Sequence, residues 1–141
     1  MKKLSLISIL AVIVIVNLSL VGCSGGTSDL EDIKWTLTSY GPEGNFKSPL
    51  PDTQVTVTFK RETKEATGNA GCNHYGGGYT IDGDKLNLEG PFAVTEMWCG
   101  EEKDAQEKEY LDILLAAEGW EINGDTLMIT GGDNVLNYIR D

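Results

Sequence analysis

Between residues 33 and 139, apolar and polar side chains alternate with a period of two, and glycine- or asparagine-rich turns break the pattern every few residues. Ile33, Trp35 and Leu37 alternate with Lys34, Thr36 and Thr38, and Val55, Val57 and Phe59 with Thr56, Thr58 and Lys60. A chain with this period can bury one face of a sheet and wet the other, so it is committed to antiparallel strands rather than helices. Weaker strands are expected at Thr67–Ala70 and Gly78–Ile81, and another at Lys85–Leu88 after the turn residues Asp82-Gly83-Asp84. Asn123-Gly124-Asp125 separates Glu121–Asn123 from Thr126–Thr130 and is the clearest hairpin signal. Gly131-Gly132-Asp133 leads to a last strand over Val135–Ile139.

One segment has a different period. Tyr110, Leu111, Leu114 and Leu115, with Ala105 and Ala117 beside them, follow the i, i+3, i+4 spacing of an amphipathic helix over Glu101–Ala117. Glu101, Glu102 and Asp104 suit the positive end of its dipole, and Gly119 is expected to end it. Short strands, frequent turns and a single helix predict a mainly β sandwich or barrel with the helix over one end or face.

The N-terminus predicts the compartment. Lys2 and Lys3 precede an apolar run from Leu4 to Leu20, and Leu20-Val21-Gly22-Cys23 fits a lipobox. Residues 1–22 therefore read as a lipoprotein signal peptide rather than a spanning helix. Cys23 would be the lipidated residue, residues 23–32 a flexible tether, and 33–141 one folded domain. The expected location is extracytoplasmic, on the cell membrane or an outer membrane. Losing Lys2 and Lys3 from 11 basic residues leaves nine against 22 acids, a charge of −13. So acidic a surface argues against binding nucleic acid or anionic headgroups directly. Cys72 and Cys99 remain as an even pair where disulfides persist. A bridge between them would contribute roughly 3 kcal/mol on the chain-entropy model.

The densest pattern runs from Thr67 to Tyr79, with Gly68-Asn69-Ala70-Gly71-Cys72-Asn73 followed by Gly77-Gly78-Tyr79. Thr95-Glu96-Met97-Trp98-Cys99 lies downstream, then Glu107 and Tyr110-Leu111. With the opening Trp35-Thr36-Leu37, this order resembles the META (HslJ-like) domain family of small secreted or lipid-anchored proteins. The resemblance spans about Ile33 to Ile139. It implies a small antiparallel β-barrel-like fold with one packed helix, a Cys72–Cys99 disulfide, and an association with envelope stress. Gly71, Cys72, Asn73, Gly78, Tyr79, Thr95, Met97 and Cys99 carry the motif. No catalytic residue comes with it. An aromatic usual just after the asparagine is displaced by one place, to Tyr75.

Sharper chemistries fit poorly. Gly76–Gly78 lead into a strand without an adjacent lysine, so a turn or bulge is expected rather than a phosphate cradle. Cys72, His74 and Cys99 lack a fourth metal ligand and zinc spacing, and one histidine gives a triad little to build on; His74 is expected in an exposed loop. Asp82/Asp84 and Asp125/Asp133 fall short of a calcium loop. The aromatic residues should mostly fill the core, with Tyr75 and Trp98 the candidates for surface contact. The expected function is a non-enzymatic envelope module, without cofactor or metal, that binds a protein partner and attaches to the membrane through its lipid. The alternatives are a carrier holding an apolar ligand inside the barrel, and an inhibitor of exported proteases presenting Cys72–Tyr79.

Overall fold

The computed structural model describes residues 29–141. The expected signal peptide, Cys23 and the expected tether up to residue 28 lie outside the described residues. Chain order is β1 (Lys34–Pro42), β2 (Thr56–Lys60), β3 (Glu65–Asn69), β4 (His74–Asp82), β5 (Lys85–Leu88), β6 (Ala93–Val94), α1 (Glu101–Leu115), β7 (Gly119–Asn123), β8 (Thr126–Gly131) and β9 (Asn134–Arg140). Eight strands run β3-β2-β1-β9-β8-β7-β5-β4, and β4 returns to pair with β3. Every pairing is antiparallel and the barrel closes on itself, which removes its sheet edges. The seam between β5 and β7 is the narrowest, a single pair between Lys85 and Gly119.

The period-two pattern fills the interior. Trp35 and Leu37, Val55, Val57 and Phe59, and Leu127 and Ile129 all point inward and are buried. The helix packs against β9, β5 and β8 and buries Gln106, Tyr110, Ile113 and Leu114. Tyr110 enters the core, where its hydroxyl lies 2.7 Å from that of Tyr75 and accepts a 3.1 Å bond from that of Tyr138. Tyr75 also donates to the Thr56 carbonyl at 2.9 Å. These phenols stay satisfied away from water.

Five expectations need correction. Gly76–Gly78 are neither turn nor bulge but the middle of β4. Segment 89–92 crosses that strand closely at two of them: a Cβ on Gly77 would sit 2.4 Å from the Phe92 ring and 3.0 Å from the Glu89 carbonyl, and one on Gly78 2.5 Å from the movable Glu89 carboxylate. His74, expected in a loop, is exposed but opens the same strand. The helix stops at Leu115, capped by Ala116, and Gly119 opens β7 instead of ending α1. The ordered domain begins before Ile33, since Leu30 is fully buried, its carbonyl accepts a bond from the Trp35 indole, and Glu31 bridges to Phe59. Finally, Tyr75 is a core residue, 4% exposed, and is no surface contact.

Candidate interaction site

The family-type motif residues fall into two groups. Gly71, Cys72, Asn73, Thr95, Met97 and Cys99 converge. Asn73 is the buried hub. Its side-chain carbonyl accepts from the Met97 amide at 2.7 Å and the Thr95 hydroxyl at 2.9 Å. Its side-chain amide donates to the Met97 carbonyl at 3.0 Å and to Glu107 Oε1 at 2.9 Å. Its backbone amide donates to Glu107 Oε2 at 2.7 Å. One asparagine thus fastens the start of β4, the 95–97 segment and α1 together. All the capacity of the amide side chain is engaged, which fixes its rotamer.

A disulfide links Cys72 to Cys99, with Cα atoms 5.9 Å apart. It anchors the far end of the same loop. Gly71 turns the chain into this cluster at φ +106°, and a Cβ there would lie 2.5 Å from Gln106 Nε2. Gln106 in turn accepts from the Leu50 amide at 2.6 Å and donates to the Thr53 hydroxyl. These links hold the long β1–β2 connection against the helix.

The second group, Gly78 and Tyr79, lies farther along β4. The Tyr79 hydroxyl donates to Glu31 at 2.6 Å. Glu31 is a buried carboxylate that also pairs with Lys64 at 2.5 Å and Arg61 at 3.1 Å. Burial pushes its carboxyl up, but the bonds from Lys64 and Tyr79 and the charges of Lys64 and Arg61 outweigh that and leave it lowered. Tyr79 is raised by burial and then by its bond to Glu31. In the tyrosine cluster, burial pushes Tyr110 up to about 12 and drives Tyr75 and Tyr138 up as well. All three phenols are neutral hydrogen-bonding groups at physiological pH.

The 94–98 loop clamped by Asn73 leaves its own side chains in solvent. Trp98 is 79% exposed, Met97 55% and Val94 37%. Large apolar side chains this exposed and this close in sequence mark a contact surface more often than a solvated one. By contrast Trp35 and Trp120 are buried. Of the two aromatic residues expected at the surface, Trp98 is exposed and Tyr75 is buried. Sequence reasoning did not find the clasp role of Glu107, 34 positions from Asn73, nor the exposure of Val94.

The segment expected to serve as an inhibitory loop, Cys72–Tyr79, is largely β4, with Cys72, Asn73, Tyr75 and Tyr79 buried; it forms barrel wall and cannot be presented. The grooves beside β4 are open. One of about 510 Å³ is lined by polar residues including Lys34, Gln54, Asn69 and His74. Another of about 650 Å³ is lined by Glu31, Lys64, Glu65 and Glu89 among others. Among the described residues, no three of His, Cys, Asp and Glu are grouped to hold a metal ion, and no helix is long and apolar enough to cross a membrane. Asp82 and Asp84 flank Gly83 in the β4–β5 turn.

A closed eight-stranded antiparallel barrel with one packed helix and a cystine-braced loop defines a class of small, mainly β domains. Residues 28–141 match the META domain, and the chain belongs to the META domain family. It is similar to the NMR structure of a protein from Burkholderia xenovorans, with 25% identity and a TM-score of 0.67 over 82% of this chain and 86% of that one. A second NMR structure aligns with a TM-score of 0.61 at 17% identity, covering 79% of this chain and 92% of the other. A crystal structure of a DUF4847 family protein from Bacteroides vulgatus aligns at 0.59 and 14% identity over 82% and 98% of the two chains. The last two establish the shared fold alone. No curated protein matches the chain.

Proposed function

We propose that this META domain is a non-enzymatic, lipid-anchored binding module of the cell envelope, with the 94–98 loop as its contact surface. The observation that carries the reading is Trp98, 79% exposed between Met97, which Asn73 clamps, and Cys99, which the disulfide holds. Fixing the backbone in advance lowers the ordering cost of binding, and an exposed tryptophan offers the largest contact area of any side chain. The membrane attachment rests on the lipobox ending in Cys23. A service to another exported protein under envelope stress fits that placement.

The carrier alternative is less well supported. A carrier needs an apolar cavity of roughly 300 Å³ or more, whereas Trp35, Phe59, Tyr79, Tyr110 and Tyr138 occupy the interior. Cross-linking in the native membranes followed by affinity capture tests the binding reading. A recurrent protein should be captured by the parent chain, lost with Trp98→Ala and retained with Ile139→Ala. Capture unaffected by Trp98→Ala removes the loop from the account. Mass spectrometry of the N-terminus tests the anchor, with a diacylglycerol adduct expected on Cys23.

A further inference from the structure

Barrel closure leaves one strand edge over. β6 pairs with β4 through Tyr75–Val94 and Gly76–Ala93, and among the described residues no other strand pairs with it. Its side chains are exposed. An exposed strand edge offers backbone donors and acceptors to an incoming chain, and native proteins usually cover or blunt such edges with positive charge or proline. Pro91 stands two residues before β6, and on its other side follow exposed Met97 and Trp98, with no lysine or arginine in the 93–98 stretch.

Charge selects the occupant. From Val94 to Asp104 the chain carries Glu96, Glu101, Glu102 and Asp104 against a single base, Lys103. Glu96, Glu101 and Glu102 are exposed. Asp104 is turned back toward the Cys99 amide. An open edge, an exposed indole and three free carboxylates together suit an extended segment rich in lysine or arginine. The backbone would add to the edge, cationic heads would meet the carboxylates, and a guanidinium or ammonium could lie over the indole. Anionic lipid surfaces are disfavoured by the same charges.

We propose that β6 and Trp98 receive an extended cationic segment of an exported protein by strand addition. This rests on the reading of the 94–98 loop as the contact surface and names the class of partner. The test uses the full chain in maltoside micelles and three synthetic probe peptides: one alternating lysine and valine, one alternating glutamate and valine, and the lysine peptide N-methylated at alternate amides. Trp35 and Trp120 are buried, so the difference between parent and Trp98→Phe spectra isolates the Trp98 emission.

The lysine peptide should blue-shift that emission and saturate, and the glutamate peptide should not. Glu96→Gln with Glu101→Gln and Glu102→Gln should weaken binding about tenfold and flatten its salt dependence. N-methylation should also cost about tenfold, through lost ladder bonds. Equal binding of the methylated peptide overturns strand addition, and equal binding of the glutamate peptide overturns the cationic partner. An emission already blue-shifted in micelles and unmoved by peptide overturns both, since the loop would then take amphiphile. Cross-linking from position 98 in native membranes separates the failures: a protein adduct there with no peptide binding sinks this inference alone, and no adduct sinks the contact reading as well.

Discussion

The barrel wall and the 94–98 loop are made of similar residues put to different ends. In the wall, Trp35 is fully buried, its indole is bonded to the Leu30 carbonyl, and its ring lies under Arg140. In the loop, Trp98 has neither burial nor, in this structure, a hydrogen bond to its indole among the described residues, while the backbone one residue before it is held at both its amide and its carbonyl by Asn73. The wall spends its side chains on stability. The loop takes its stability from a neighbour's side chain and keeps its own free. Such a division is what a preorganised contact requires, and it separates what a mutation does to folding from what it does to binding.

The comparison can be broken most directly at Trp35. Trp35→Ala should cost about 4 kcal/mol, read as a lower urea midpoint with an unchanged slope. Removing the brace with Cys72→Ser and Cys99→Ser together should cost about 3 kcal/mol through the freed loop of the unfolded chain. Asn73→Ala should cost about 2 kcal/mol, because it strands the Met97 amide and the Glu107 carboxylate. Unlike the cysteine change, it should speed hydrogen exchange at Met97 ahead of the rest of the domain.

The Glu31 clasp predicts a pH dependence with a definite sign. Its carboxyl is lowered in the folded chain, so its contribution is present above the ordinary value near 4.5 and drains away as pH falls through the lowered one. Thermal melts should fall in that acid window, and Glu31→Gln should flatten the fall. Smallest of all, Trp98→Ala should change stability by less than about 0.5 kcal/mol. A large loss there would mean that the loop is part of the fold and would erase the distinction.

Much of this was legible from residues alone, for physical reasons. β1 and β2 announce themselves because one face is buried and the other wet, and the β7–β8 hairpin because Gly124 must take φ +61°. The helix start is marked by its acids. What escaped depends on contacts far apart in sequence. β6 has two residues and no period to detect. The glycines of β4 answer to Phe92 and Glu89, which cross them, and not to any local turn. Tyr75 sits beside a cysteine like a loop residue, yet it is claimed by Tyr110, 35 positions away. Leu30 and Glu31 follow a polar run that looks like tether, and their burial answers to Trp35, Phe59 and Tyr79, farther along the chain. In the site, the exposed Trp98 and the paired cysteines could be read in advance. The Asn73–Glu107 clasp that holds them could not, because nothing in either residue names the other.

The proposed contact surface stands or falls on whether position 98 touches another protein. A photo-reactive phenylalanine analogue placed there, and another at exposed Ile139 on β9, would be irradiated in living cells and their adducts compared by mass. A discrete protein adduct from position 98 and none from 139 is the expected result. Adducts from 139 alone, or from neither position, would contradict it.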